Sequence, residues 1–278
     1  MAFTGNKIRI SGSLIQWILT AALIIAAYFI GNLTAKVQLL QKGTTAPTTA
    51  TAPPAQPTVS MDTIKGLFAK DIIKFGDAKN KLLLVEVADP SCPFCHIAAG
   101  KHPEINASSA QFKLASQGGT YVPPVEEFKK LVDAGKASFA YIYDPGHGNG
   151  EMAMKALYCA FEKGKFWEAH DLLMSEKGYE IENGVDSANA PVPSTTIVVK
   201  NDKTKSQDMA NFLASAVDPA FIKSCLDSGK YDARLGSDTQ LAASLGVQGT
   251  PGFFVNATSF PGAYSFTDMK SAVDAAMK

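Results

Sequence analysis

Cys92 and Cys95 stand two residues apart in the stretch "VEVADPSCPFCHIAAG" (85–100), and His96 follows at once. That spacing serves three chemistries: a redox dithiol, half of a structural zinc site, or a c-type haem attachment point. Structural zinc takes four ligands, usually from two such pairs. No second CxxC occurs, Cys159 and Cys225 are single, and His102, His147 and His170 show no ligand spacing. The letters CPFCH fit haem attachment, but no pattern singles out a distal ligand among Met152, Met154 and Met174. The dithiol has a mechanism in the local sequence. "KLLLVEVAD" (81–89) is an apolar run that reads as a buried strand, Asp89-Pro90-Ser91 as a turn, and Pro93 as the first turn of a helix. Cys92 is then expected at a helix N-terminus, where unpaired N–H groups and partial positive charge stabilise a thiolate. CxxC cysteines in such places reach pKa values of about 3.5–7.5 instead of about 8.5. Cys95 falls one turn inside.

The elements needed to hold that pair can be read along the chain. "ASFAYIYD" (137–144) reads as a second strand, 150–175 and most of 206–245 as helices, and "GFFVN" (252–256) as a third buried strand. "SFTDMKSAVDAAMK" closes the chain as a capped helix. Strand, helix, strand, helical block, strand, helix implies an α/β fold with helices inserted in the middle. Within the first strand, Glu86 is an acid in an apolar run, which is costly unless it has a partner or a task; the alternative is an edge strand with Glu86 facing water. Thr250-Pro251 stands directly before the third strand, where proline is tolerated and an X-Pro bond can be cis.

On "LLLVEVADPSCPFCH", "ALYCAFEKGKFWEAHDLLM", "CLDSGKYDARLGSDTQLAASLGVQGTPGFFVN" and the closing helix, the chain resembles the DsbA-like thiol–disulfide oxidoreductases. The resemblance covers most of residues 80–278 in order. It implies a thioredoxin fold with an inserted helical domain, here about 149–228. It further implies Cys92 as attacking thiolate, Cys95 as resolving partner, Glu86 as the buried acid, and Pro251, after Thr250, as a cis-proline facing the dithiol. No cofactor and no metal are expected. The expected partners are exported, reduced or unfolded proteins, with a membrane quinone-linked thiol oxidase for re-oxidation. The same dithiol could instead serve a reductase or isomerase, or the groove a tethered peptide-binding chaperone. Some relatives carry an extra bridge in the inserted block, so Cys159 and Cys225 are a candidate structural disulfide if their Cα atoms come within about 7 Å; otherwise they are buried free thiols. The family pattern is interrupted at 104–125, where the first helix should run on, and at 178–205, which reads as a polar loop and a β-branched run added to the helical block; either could reshape the substrate groove.

With 26 basic and 26 acidic residues the chain has no net charge, which argues against a nucleic-acid partner. No acidic residue precedes Asp62. Residues 14–33 form an uncharged apolar run of twenty, long enough for a helix to span a bilayer core of about 30 Å. A cleaved signal peptide would have a shorter apolar core and a small-x-small site. The expected organisation is a cytoplasmic segment (1–13), a transmembrane anchor (14–33), a flexible Thr/Ala/Pro-rich tether (34–60) and a folded domain (61–278). The expected location is a bacterial cell membrane, single-pass, with the domain on its exoplasmic, oxidising side. His96 is expected to be exposed near the site, His147 to lie in a solvated turn, and "FWEAH" (166–170) to pack a helix. The sequons at Asn106 and Asn256 read as chance.

Overall fold

The computed structural model describes residues 59–278. The expected anchor at 14–33, and all but the end of the tether, lie outside the described residues. Among the described residues no helix is long and apolar enough to cross a membrane.

The first helix, α1 (Met61–Leu67), starts where the Ser60 hydroxyl accepts the Thr63 N–H at 3.1 Å. Five strands form one sheet: β1 (Ile73–Phe75), β2 (Leu82–Ala88), β3 (Ala137–Tyr143), β4 (Gly252–Val255) and β5 (Thr258–Pro261), in the order β1-β3-β2-β4-β5. β2 runs parallel to β3, and the other pairings are antiparallel. The two parallel strands need a crossover, supplied by helices α2 (Pro93–Ala99), α3 (Pro103–Ala107) and α4 (Pro124–Asp133). The inserted block holds α5 (Glu151–Glu162), α6 (Phe166–Leu173), α7 (Glu176–Asn183), α8 (Ser206–Phe212) and α9 (Pro219–Asp227). Then α10 (Asp232–Ser244) leads to β4, and α11 (Phe266–Met277) ends the chain behind a Ser265/Asp268 capping box.

All seven residues of β2 are buried, because both faces of the sheet are covered. Leu82, Leu84 and Ala88 point into a core shared with Cys92, Cys95, the inserted helices and α11; Leu83, Val85 and Val87 point into a second core with α1 and α10. Strand periodicity puts Glu86 on the same face as Leu84 and Ala88. The three buried strands of the sequence reading are present within a residue or two of their expected ends. The short edge strands β1 and β5 carry too few residues for a periodic signal and were not anticipated.

At 104–125 the interruption is real. α2 stops at Gly100, whose φ of 71° is left-handed and whose added Cβ would lie 2.4 Å from Pro123 Cγ. The chain then makes α3 and two 3₁₀ turns before α4 begins at Pro124. At 178–205 the expectation of a polar loop needs correction: its first residues complete α7, where Ile181, Glu182 and Asn183 are buried. The "FWEAH" residues do pack: Phe166, Trp167 and His170 gather with Phe75, Phe139 and Tyr141.

Cys159 on α5 and Cys225 on α9 form a disulfide with Cα atoms 6.1 Å apart, closing 66 residues. In the chain-entropy account a loop of that size is worth about 4 kcal/mol. The Cys159→Ser, Cys225→Ser double variant should lose about that much in urea unfolding, with β-sheet circular dichroism retained.

Candidate functional site

Cys92 is the N-cap of α2 and Pro93 its first residue, as proline's missing N–H and fixed φ favour. The Cys92 carbonyl accepts the N–H groups of Cys95 (3.0 Å) and His96 (3.2 Å). Cys92 is 5% exposed and Cys95 is fully buried; both are free thiols. The two titrate apart. A hydrogen bond from the Cys95 thiol, assisted by backbone N–H groups at the start of α2, pulls Cys92 down to about 7 against the opposing effect of burial. Burial, and then the neighbouring Cys92, push Cys95 well above the ordinary thiol range.

Thr250-Pro251 faces this pair from the loop before β4. The peptide bond is cis, and the Cys92 thiol donates to the Thr250 carbonyl at 3.3 Å. Gly246 to Gly252 wall one side of an open groove of about 730 Å³ that takes in Thr250, Pro251 and Pro261. Phe94, between the cysteines, is 48% exposed and meets Phe112 edge-on at 6.0 Å. The site thus combines one slightly exposed sulfur, an extended backbone edge and apolar surface.

Glu86 lies across from Tyr141 on β3 and Phe253 on β4, in the central strand. The edge-strand alternative is therefore excluded. Neither carboxyl oxygen has a hydrogen-bond partner, and burial pushes its pKa up to about 8. Its charge is one of the influences that raise Cys95, so the two buried groups belong to one electrostatic unit.

The turn before Cys92 is clamped from the inserted side. Asp89, fully buried, accepts from the Ser91 N–H (2.9 Å) and hydroxyl (2.8 Å) through Oδ1, and from the His147 (2.7 Å) and Gly148 (3.1 Å) N–H groups through Oδ2. Asn183 donates to the Ser91 carbonyl at 3.1 Å, and the Ser91 hydroxyl accepts the Asn149 N–H at 3.1 Å. His147 itself is an exposed loop residue, as expected; its backbone does the holding. His96 requires a correction. It is fully buried, because the face of α2 that carries it packs on α7, where Tyr179 meets the ring edge-on at 4.9 Å. Sequence reasoning missed Asp89, Asn183 and Glu182: the first resembled a turn former and the others lay in a segment without an apolar signature.

Residues 124–275 match the family described as Thioredoxin. The chain belongs to the thioredoxin family. Thr250 and Pro251 fall inside the matched thioredoxin region, and Cys92 and Cys95 lie upstream of it. Among solved structures, two of alpha-DsbA1 variants from Wolbachia pipientis share the fold at 16% identity. They cover 79% and 77% of this chain and 96% of their own, with TM-scores of 0.53 and 0.51. BdbD from Bacillus subtilis, in its oxidised form, is 14% identical over 79% of this chain and 96% of its own, with a TM-score of 0.48. In sequence, 202 residues are 24% identical to the Na(+)/H(+) antiporter NhaA 3 of Salinispora tropica, taking in 71% of this chain. The match spans 24% of that protein's length.

Proposed function

We propose that this thioredoxin-family chain is a thiol–disulfide oxidoreductase that introduces disulfides into exported proteins. The observation that carries the reading is the placement of one sulfur: Cys92 caps α2 within 3.3 Å of the Thr250 carbonyl, with Cys95 buried one turn below it. A thiol so placed can be attacked from outside, while its partner can react only with it.

In the oxidised form, a substrate thiolate attacks Cys92 Sγ. The Cys92–Cys95 bond breaks and Cys95 leaves as a thiolate, which takes a proton; Glu86, held protonated near neutral pH by burial, is the buried acid placed to manage that proton. A second substrate thiolate then attacks the substrate's own sulfur in the mixed disulfide, and Cys92 leaves. The substrate loses two electrons and the Cys92/Cys95 pair gains them. The low pKa of Cys92 relative to Cys95 supports this order of events, because the more stable thiolate is the better final leaving group. The substrate class is reduced or unfolded polypeptide, which the apolar Phe94–Phe112 surface and the open groove beside Pro251 suit. Re-oxidation is assigned to a membrane quinone-linked thiol oxidase, and the 14–33 run to an anchor that keeps the domain on the exoplasmic face of a bacterial cell membrane.

One observation favours a reductase as second reading: a Cys92 pKa of about 7 is that of thioredoxin, while the strong oxidant DsbA has about 3.5. Equilibration with glutathione buffers separates them. An oxidase should give a potential of about −120 to −180 mV, and a reductase one near about −270 mV. A value at the lower end overturns the oxidase assignment.

A further inference from the structure

His96 is surrounded by acceptors. Its Nδ1 lies 2.9 Å from the Met174 carbonyl oxygen and its Nε2 lies 2.8 Å from the Pro90 carbonyl oxygen. Carbonyls only accept, and a neutral imidazole has a single N–H. A neutral ring would therefore aim a nitrogen lone pair at one of these oxygens at hydrogen-bond distance, deep in the protein. A doubly protonated ring satisfies both. A counter-charge is at hand: Glu182 Oε2 is 3.9 Å from His96 Nε2, both side chains are fully buried, and neither Glu182 oxygen has a hydrogen-bond partner.

The groups around the pair sharpen the assignment. His102, at the N-cap of α3, has its ring 6.0 Å from that of His96, and its Nδ1 accepts the Ile105 N–H at 3.2 Å, so that nitrogen carries no proton. Tyr179 on α7 meets both histidines edge-on, 4.9 Å and 5.7 Å from their rings, and completes a triangle with them. His170 on α6 pairs with Asp171 at 3.2 Å. Asp89 in the preceding turn already accepts four hydrogen bonds. Glu182 is thus the carboxylate without donors, facing the histidine whose two ring nitrogens both meet carbonyl acceptors. Burial opposes ionisation of both, pulling His96 down and Glu182 up, while the Pro90 and Met174 carbonyls pull His96 the other way. Geometry decides between the two, because only the charged ring leaves neither carbonyl against a lone pair.

We propose that His96 is held as an imidazolium by the Pro90 and Met174 carbonyls, with Glu182 as its counter-ion, and that it is a positioning residue placing fixed positive charge one helical turn below Cys92. Its two hydrogen bonds also tie the turn before Cys92 to the end of α6 in the inserted block. The charge favours the Cys92 thiolate and hence, by stabilising the reduced form, a more oxidising disulfide. The link to Cys92 rests on the oxidoreductase reading; the ionisation of His96 does not.

The test uses the full chain, reduced and labelled with ¹⁵N at its four histidines. Long-range proton–nitrogen spectra read each ring nitrogen, and His96→Gln assigns the His96 signals by their disappearance. The expected result is two protonated nitrogens on His96 through neutral pH, with His102 Nδ1 bare. Glu182→Gln should remove one of the His96 ring protons. His96→Gln should raise the Cys92 thiolate titration, followed by ultraviolet absorbance, by about one unit, or tenfold less thiolate at a given pH below it. A singly protonated His96 in the unmutated chain overturns the proposal; should His96→Gln fail to fold, the His96 ring signals are assigned by through-bond correlation to the backbone. An unchanged Cys92 titration in folded His96→Gln overturns the role toward Cys92. Absence of exchange activity beside a doubly protonated His96 would fall on the oxidoreductase reading and leave the ion pair standing.

Discussion

Cys95→Ser should accumulate covalent mixed disulfides with reduced polypeptide substrates when the cells or extracts are acid-quenched, and Cys92→Ser should accumulate none. The asymmetry follows from where the sulfurs lie. Cys92 is the N-cap of α2, touches the Thr250 carbonyl and keeps 5% of its surface exposed, so it is the sulfur of the pair that a substrate can reach. Cys95 has no exposed surface and sits beneath it. Removing Cys95 leaves the accessible thiol without an internal partner to resolve the intermediate, whereas removing Cys92 leaves a thiol that nothing outside can reach. Exchange turnover should fall by at least about a thousandfold in both variants, an effect on the scale of losing a nucleophile. Non-reducing gels followed by peptide mapping of the adduct check this. Adducts on Cys95 in the Cys92→Ser variant, in amounts equal to those of the other, would reverse the two roles.

Glu86→Gln should stabilise the protein, and more so as pH rises. The folded carboxyl is held up to about 8 by burial, against an ordinary value of 4.5. Between those values the folded state keeps a proton that the unfolded chain has lost. Stability from this group is therefore greatest below about 4.5, declines by about 1.4 kcal/mol per pH unit as pH rises through the window, and is flat above about 8. Glutamine has a similar shape and no proton to lose. Relative to the unmutated chain it should gain on the order of 4–5 kcal/mol at pH 8 and little at pH 4.5. Urea midpoints measured across that range check it. A gain independent of pH would mean that Glu86 is ionised in the folded protein. The same substitution should slow exchange, because the buried site then has no carboxyl to manage the Cys95 proton. Gain of stability with loss of activity is the pattern expected of a group retained for function.

How much of this was legible in the chain depended on whether the information was local. The strand–turn–helix that carries Cys92 follows from an apolar run, a turn tripeptide and Pro93, all within a dozen residues, and it is present as expected. Thr250-Pro251 before an apolar run was equally local. Glu86 was recognisable because a carboxyl amid leucines and valines is unusual. By contrast, the clamp on Asp89 is made by backbone N–H groups of His147 and Gly148, which every residue type carries, so no side-chain pattern announces it. The burial of His96 depends on α7, a helix assembled partly from a segment that reads as polar loop. Glu182 carries no local signal of burial, because its surroundings come from residues far earlier in the chain. The pairing of Cys159 with Cys225 required two helices to come together across 66 residues, which spacing alone does not establish.

The central claim, that Cys92 is the accessible low-pKa thiol of an exchange pair with Cys95, is tested most directly by alkylation, as a function of pH, of protein in which only the Cys92–Cys95 pair is reduced. Each cysteine would be quantified by mass spectrometry after quenching, with the Cys159–Cys225 disulfide kept intact by selective reduction. Cys92 should be labelled first, with a rate that rises through an inflection near about 7, while Cys95 stays unlabelled until the protein is denatured. Labelling of Cys95 at an equal or faster rate, or a Cys92 inflection at the value of an ordinary thiol, about 8.5, would contradict the account.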